Sequence, residues 1–201
     1  MTVDCENCRL FALPRSGEQK KHSNRPGGLE LTSQALNLCT FPRNGRMLDI
    51  ACGLGATLAL LNERFEKPAI GLDRSGKMLR SALVDDPGSN VLMGDCFSIP
   101  LVSGSITGVL MECALSLSYR SLDTLKEIKR ILAPGGKAII TDIFLRELDS
   151  SFDRQCLQKS RCISGVMYRE EILEQFSQAG FLLDIWQDHT LFLKKWMIEN
   201  I

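Results

Sequence analysis

Three carboxylates and a pair of glycines are spaced to do recognition chemistry. In Leu48-Asp49-Ile50-Ala51-Cys52-Gly53-Leu54-Gly55-Ala56 an apolar run breaks into a Gly-bearing turn and resumes with helical spacing. A backbone that turns sharply between strand and helix can lie against a ligand with no side chain between. Asp73 closes the next apolar run, twenty residues beyond Gly53. A carboxylate there can accept from both hydroxyls of a ribose. Gly94-Asp95-Cys96 follows a third run and brings a further carboxylate, suited to an adenine amino group. Ordinary turn glycines and a turn-capping Asp49 are the plain alternative. A dinucleotide fingerprint would add a third glycine beside a pyrophosphate, but Leu58 stands there, and a ligand without phosphates would not require that glycine.

A second group lies beyond the fourth apolar run, in Met111-Glu112-Cys113-Ala114-Leu115-Ser116-Leu117-Ser118. Glu112 is placed to orient a cationic or protonated molecule, or to sit as a solvated loop acid. Cys113 is either a soft ligand or a small buried hydrophobe. Arg25 is either a partner for a carboxylate or phosphate of the molecule acted on, or a surface arginine in a loop. Cys5-Glu-Asn-Cys8 is a Cys-x-x-Cys without a second pair at zinc spacing, so no metal site is expected.

These residues need a sheet to bring them together. Met47–Ile50, Ala69–Leu72, Asn90–Met93, Ile106–Met111 and Lys137–Phe144 read as strands, the last with the unbroken apolar character of a doubly buried parallel strand. Helices are expected over about 30–39, 56–65, 75–84 with Ser75 as N-cap, 122–132 stopped by Pro134-Gly135-Gly136, and 168–179 closed by Gly180. Phe181–Trp186 reads as a sixth strand. The stretch 188–201 suits a helix capped by Asp188 slightly better than a return strand, which would leave the final antiparallel strand missing. Alternating strands and helices mean α/β: a doubly wound, mainly parallel, Rossmann-like sheet with helices on both faces. Ligands of such sheets sit outside the carboxyl ends of the strands, where Asp49, Asp73 and Asp95 all fall. Residues 1–28, with Lys20-Lys21-His22 and Pro26-Gly27-Gly28, read as a leader or cap segment, and 29–201 as one domain.

The 201 residues carry 24 Lys+Arg against 24 Asp+Glu, which argues against a general polyanion binder and hence against nucleic acid as partner. Only residues 1–46 are mildly basic. No signal peptide or membrane span is visible, so a cytoplasmic protein with reduced cysteines is expected.

The chain resembles a class I S-adenosylmethionine-dependent methyltransferase. The resemblance is carried by Leu48-Asp-Ile-Ala-Cys-Gly-Leu-Gly, Gly71-Leu-Asp-Arg-Ser-Gly-Lys-Met-Leu, Gly94-Asp-Cys-Phe-Ser-Ile-Pro and Arg130-Ile-Leu-Ala-Pro-Gly-Gly-Lys-Ala, which cover about residues 46–145 in order. It implies S-adenosylmethionine as cofactor. Ala51, Gly53 and Gly55 would then lie under its methionine part, with the carboxylate near the first amides of the following helix. Asp49 would take the amino group, Asp73 and its neighbour Arg74 the ribose side, and Asp95 the adenine amine, with Cys96 and Phe97 beside the ring. Ala51 departs from the family's usual first glycine, a change that most of the turn tolerates.

Cys113-Ala-Leu-Ser-Leu-Ser is further similar to a cysteine segment of arsenite methyltransferases, and Cys162-Ile-Ser-Gly-Val to their second one. That resemblance implies a soft acceptor, a thiol or an arsenite-like metalloid, held by Cys113 and Cys162 with Glu112 alongside. The alternatives are a conventional carbon, nitrogen or oxygen acceptor with structural cysteines, or a silent cofactor-binding partner subunit. In each enzymatic reading the acceptor is a small molecule. An open sheet edge would favour a homodimer.

Overall fold

The computed structural model describes residues 24–146 and 165–200. Five strands, β1 (Met47–Ile50), β2 (Ile70–Asp73), β3 (Asn90–Met93), β4 (Ile106–Glu112) and β5 (Leu132–Thr141), form one sheet in the order β3-β2-β1-β4-β5. Every pairing is parallel. Six helices accompany them: α1 (Gly28–Leu38), α2 (Ala56–Arg64), α3 (Gly76–Asp85), α4 (Ser121–Ile131), α5 (Arg169–Gln178) and α6 (Thr190–Asn200).

Alternation along the strands divides the core into two layers. Leu48, Ile50, Val109 and Met111 pack with Leu125, Ile128 and Ile131 of α4 and Ile172 of α5. Met47, Leu110 and Ile139 face the other way, onto Leu36 of α1, Leu58 and Leu61 of α2, and Leu79 of α3. Asp49 and Glu112 fall in the second register, so their carboxylates belong to the α1–α2 face. Ser75 caps α3 as expected, its Oγ accepting from Met78 N at 3.3 Å. At the N-terminus of α6, Asp188 Oδ1 accepts from Thr190 N at 2.9 Å. Among the described helices none is long and apolar enough to cross a membrane.

The sequence and the structure differ at two places in the last third. Helix α4 ends at Ile131, and β5 begins at Leu132, before Pro134-Gly135-Gly136. Leu132 pairs with Ile106, a register shift follows, and Lys137 then pairs with Gly108. The Pro-Gly-Gly segment, with Gly135 at φ +76°, therefore lies inside an irregular strand instead of ending the helix. The segment 181–186 forms no ladder. Phe181 and Trp186 both pack against the same core, yet they are five apart, and a period-two strand would send them to opposite faces. The Lys137 Nζ–Asp184 Oδ2 pair at 3.2 Å and a Phe144–Trp186 edge-to-face contact at 5.4 Å hold the segment beside β5. Among the described residues β5 therefore has no ladder partner on its outer side.

Candidate functional site

The chain order reverses between β1 and β4, where crossovers leave on opposite sides and open a crevice at the carboxyl ends. Ile50 pairs with Met111 there, so the turn 51–55 and the segment 112–118 leave the sheet side by side. Ala51, Gly53 and Gly55 have φ of +61°, +53° and +84°. A Cβ built on Gly53 would meet nothing within 4 Å, so the turn presents bare backbone to open space. Gly55 stands at the N-cap of α2 and contributes no side-chain bond. The first-turn N–H groups of that helix thus have no side-chain cap, an arrangement that suits an anion.

Asp73 ties this turn to the next strand end. Its Oδ2 accepts from Gly53 N at 2.9 Å and its Oδ1 from Ser75 N at 2.8 Å. Gly94 N reaches Asp73 O at 3.1 Å, so the ends of β1, β2 and β3 form one connected rim. Asp95 and Arg74 are exposed on that rim.

Asp49 lies below the turn, 3% exposed, and its Oδ2 has no hydrogen-bond partner. A buried acceptor left unmatched asks for a donor from a ligand. Burial first, then the nearby Glu112, hold its pKa well above the ordinary carboxylate value, while Arg25 pulls the other way.

Glu112 is the largest departure from the sequence reading. It is neither a solvated loop acid nor a carboxylate waiting for an acceptor. Its Oε2 accepts from Arg25 Nη2 at 2.6 Å and Thr57 Oγ1 at 2.9 Å, and its Oε1 from Thr32 Oγ1 at 2.8 Å. Arg25, read as leader, is thereby joined to α1, α2 and β4. No local signal announces this, because the four residues come together only once β4 lies beside β1.

One further expectation changes. Cys96 turns away from the rim, its Sγ 3.4 Å from Thr124 Oγ1 and 3.7 Å from Ser118 Oγ. It packs against the α4-side core, as a small apolar side chain does where the chain reverses after β3. Phe97 stays near the rim in an edge-to-face contact with Tyr119 at 5.5 Å, with Arg120 lying 4.6 Å over its ring. Cys162 lies outside the described residues.

Cys113 follows β4 in a left-handed conformation, φ +51°, with its N–H bonded to Thr141 O at 2.7 Å. Burial pushes its thiol up to about 12. Asp142, which the sequence did not single out, braces the same loop. Its Oδ2 accepts from Ser116 N at 2.8 Å, and its Oδ1 from Ser116 Oγ and Ile143 N at 2.7 Å each. Burial raises its pKa against the pull of those donors. A lone Asp after the apolar run of β5 was the available signal.

Residues 48–140 match the methyltransferase domain family. The malonyl-[acyl-carrier protein] O-methyltransferase 1 of Coxiella burnetii is 29% identical over 110 residues, which span 53% of this chain and 37% of that protein. The demethylmenaquinone methyltransferase of Lactococcus lactis is 34% identical over 100 residues, 46% of this chain and 40% of that one. The chain thus spans less than half the length of these two relatives. The solved structure of Haemonchus contortus phosphoethanolamine N-methyltransferase 2 with S-adenosyl-L-methionine superposes with a TM-score of 0.75 at 25% identity, covering 89% of this chain and 43% of that one. The chain therefore has the fold of the class I, S-adenosylmethionine-dependent methyltransferases, with the methyltransferase domain family matching its residues 48–140.

Proposed function

We propose that the chain is an S-adenosylmethionine-dependent methyltransferase for a small acceptor. The observation that carries this reading is the unmatched, buried Asp49 Oδ2 beneath an open glycine turn whose Gly53 N–H is bonded to Asp73. These residues fit the cofactor: an acid for its ammonium, uncapped amides for its carboxylate, and Asp73 for its ribose hydroxyls. Asp95 stands at the rim for the adenine amine, with Phe97 beside the ring. When bound, S-adenosylmethionine supplies an electrophilic methyl group on a sulfonium. The protein's task is alignment and exclusion of water, because the departing thioether is neutral.

The acceptor reaches the site past Cys113 and the loop that Asp142 braces. The relatives' names mention a malonyl-[acyl-carrier protein], a demethylmenaquinone and a phosphoethanolamine, so likeness to them leaves the acceptor open. Of the two acceptor classes, the Cys113 thiol favours a carbon, nitrogen or oxygen acceptor. Burial pushes that thiol up to about 12, the surroundings of a small apolar side chain packed in a core. The soft-acceptor reading keeps one observation in its favour, a cysteine held in a left-handed conformation at the β4 end.

Binding of S-adenosylhomocysteine by calorimetry tests the cofactor, and labelled methyl transfer to arsenite plus glutathione tests the acceptor class. We expect binding without Cys113-dependent transfer. Turnover on arsenite that Cys113→Ser abolishes would restore the soft acceptor. Binding with no transfer to any candidate metabolite would point to a silent partner subunit. The outer edge of β5 supports a homodimer, and a monomeric sedimentation coefficient would remove that part of the reading.

A further inference from the structure

The Arg25 guanidinium sits where a cation alone would be unfavourable. Its Nη2 donates to Thr57 Oγ1 at 3.1 Å, and Thr57 is the second residue of α2, at the positive end of that helix. Glu112 supplies one counter-charge, and Thr32 takes a further bond at 2.6 Å. All three bonds use Nη2, so Nη1 and Nε have no partner among the described residues. The side chain retains 15% exposure, against 4% for Glu112, so it is the less enclosed member of the pair.

An independent observation lies nearby. Asp49 Oδ2 is buried and unmatched, and Asp49 is close enough to Arg25 and Glu112 for both to act on its charge. An unmatched buried acid and, at an uncapped helix N-terminus, a guanidinium with unused donors therefore lie close together at the carboxyl ends of β1 and β4. An acid for an ammonium and a fork for a carboxylate together match the α-amino-acid group of a ligand.

We propose that Arg25 is the carboxylate receptor for the amino-acid end of the bound cofactor, held in place by Glu112, Thr32 and Thr57. This deepens the cofactor reading above and rests on it. Arg25 is then a ligand-binding residue, and Glu112 a positioning residue that acts through it.

The test compares two ligands by calorimetry: S-adenosylhomocysteine, which has the amino-acid end, and 5′-methylthioadenosine, which lacks it. Arg25→Ala should weaken S-adenosylhomocysteine by about tenfold or more while changing methylthioadenosine by less than about twofold. Arg25→Ala leaves Glu112 buried without its cation, so the double variant Arg25→Ala with Glu112→Gln is run beside it. The double variant should show the same selective loss. Equal weakening of both ligands, or no loss for S-adenosylhomocysteine in the folded double variant, would overturn the assignment. Failure of the wild type to bind either ligand would instead overturn the cofactor reading itself.

Discussion

The Gly53 N–H donates to Asp73 Oδ2 at 2.9 Å, so the turn after β1 and the end of β2 are one mechanical unit. The other oxygen is held by Ser75 N at the cap of α3. Both oxygens are therefore fixed in direction while keeping lone pairs that point elsewhere. Asp73→Ala removes both bonds, and we expect S-adenosylhomocysteine affinity to fall about tenfold to a hundredfold, with about 1–2 kcal/mol of stability lost. Asp73→Asn retains one acceptor and should lose less of each. Equal effects of the two variants in calorimetry and denaturant unfolding would show that the carboxylate's second oxygen is not used.

Ala51 occupies an exposed left-handed position, φ +61°, in the same turn. An L residue with a Cβ is strained there, and glycine is not. Ala51→Gly should therefore raise stability by up to about 1 kcal/mol, because relief of strain outweighs the added freedom of the unfolded chain. The urea midpoint checks this. A lower midpoint with unchanged slope would mean that the turn carries no strain at Ala51.

Gly71 is required by close packing. A Cβ there would lie 2.6 Å from Leu58 Cδ1 and 2.7 Å from Cys52 Sγ. Gly71→Ala should cost about 1–3 kcal/mol by overpacking. Adding Cys52→Ala removes one of the two obstructing groups and should recover part of that loss. Additive destabilisation in the double variant would show that the sulfur is not what excludes the methyl group.

How far the sequence could be read depends on the range of each interaction. Strand and helix order, the glycine turn and the Ser75 cap are local, so periodicity and spacing reveal them. The surroundings of Glu112 are not legible in sequence, because its three donors lie 55 to 87 residues away and meet only through the β1–β4 pairing. Cys96 was placed by family resemblance on the ligand side, whereas the turn after β3 sends it into the core. Phe181–Trp186 has strand-like composition, but its two anchoring aromatics have the wrong spacing for a strand. Asp142 looked unremarkable because its partner Ser116 is 26 residues away.

The buried Asp49 couples stability to pH with a definite sign. Its folded pKa lies above the ordinary 3.8, chiefly through burial and then through Glu112. The folded state therefore holds the proton more tightly than the unfolded chain. The stability this contributes is complete below about 3.8 and is lost as pH rises through the higher folded value. Asp49→Asn should accordingly stabilise the ligand-free protein at pH 8, by about 1–3 kcal/mol, and flatten that part of its stability profile. Ligand binding should move the opposite way. An ammonium is attracted by the ionised acid, so wild-type affinity for S-adenosylhomocysteine should rise with pH through the Asp49 titration, and the Asn variant should bind about tenfold or more weakly without that rise. Thermal unfolding and calorimetry across the same pH series read both effects. A variant that loses stability at pH 8 yet binds as the wild type does would show that Asp49 is a structural acid.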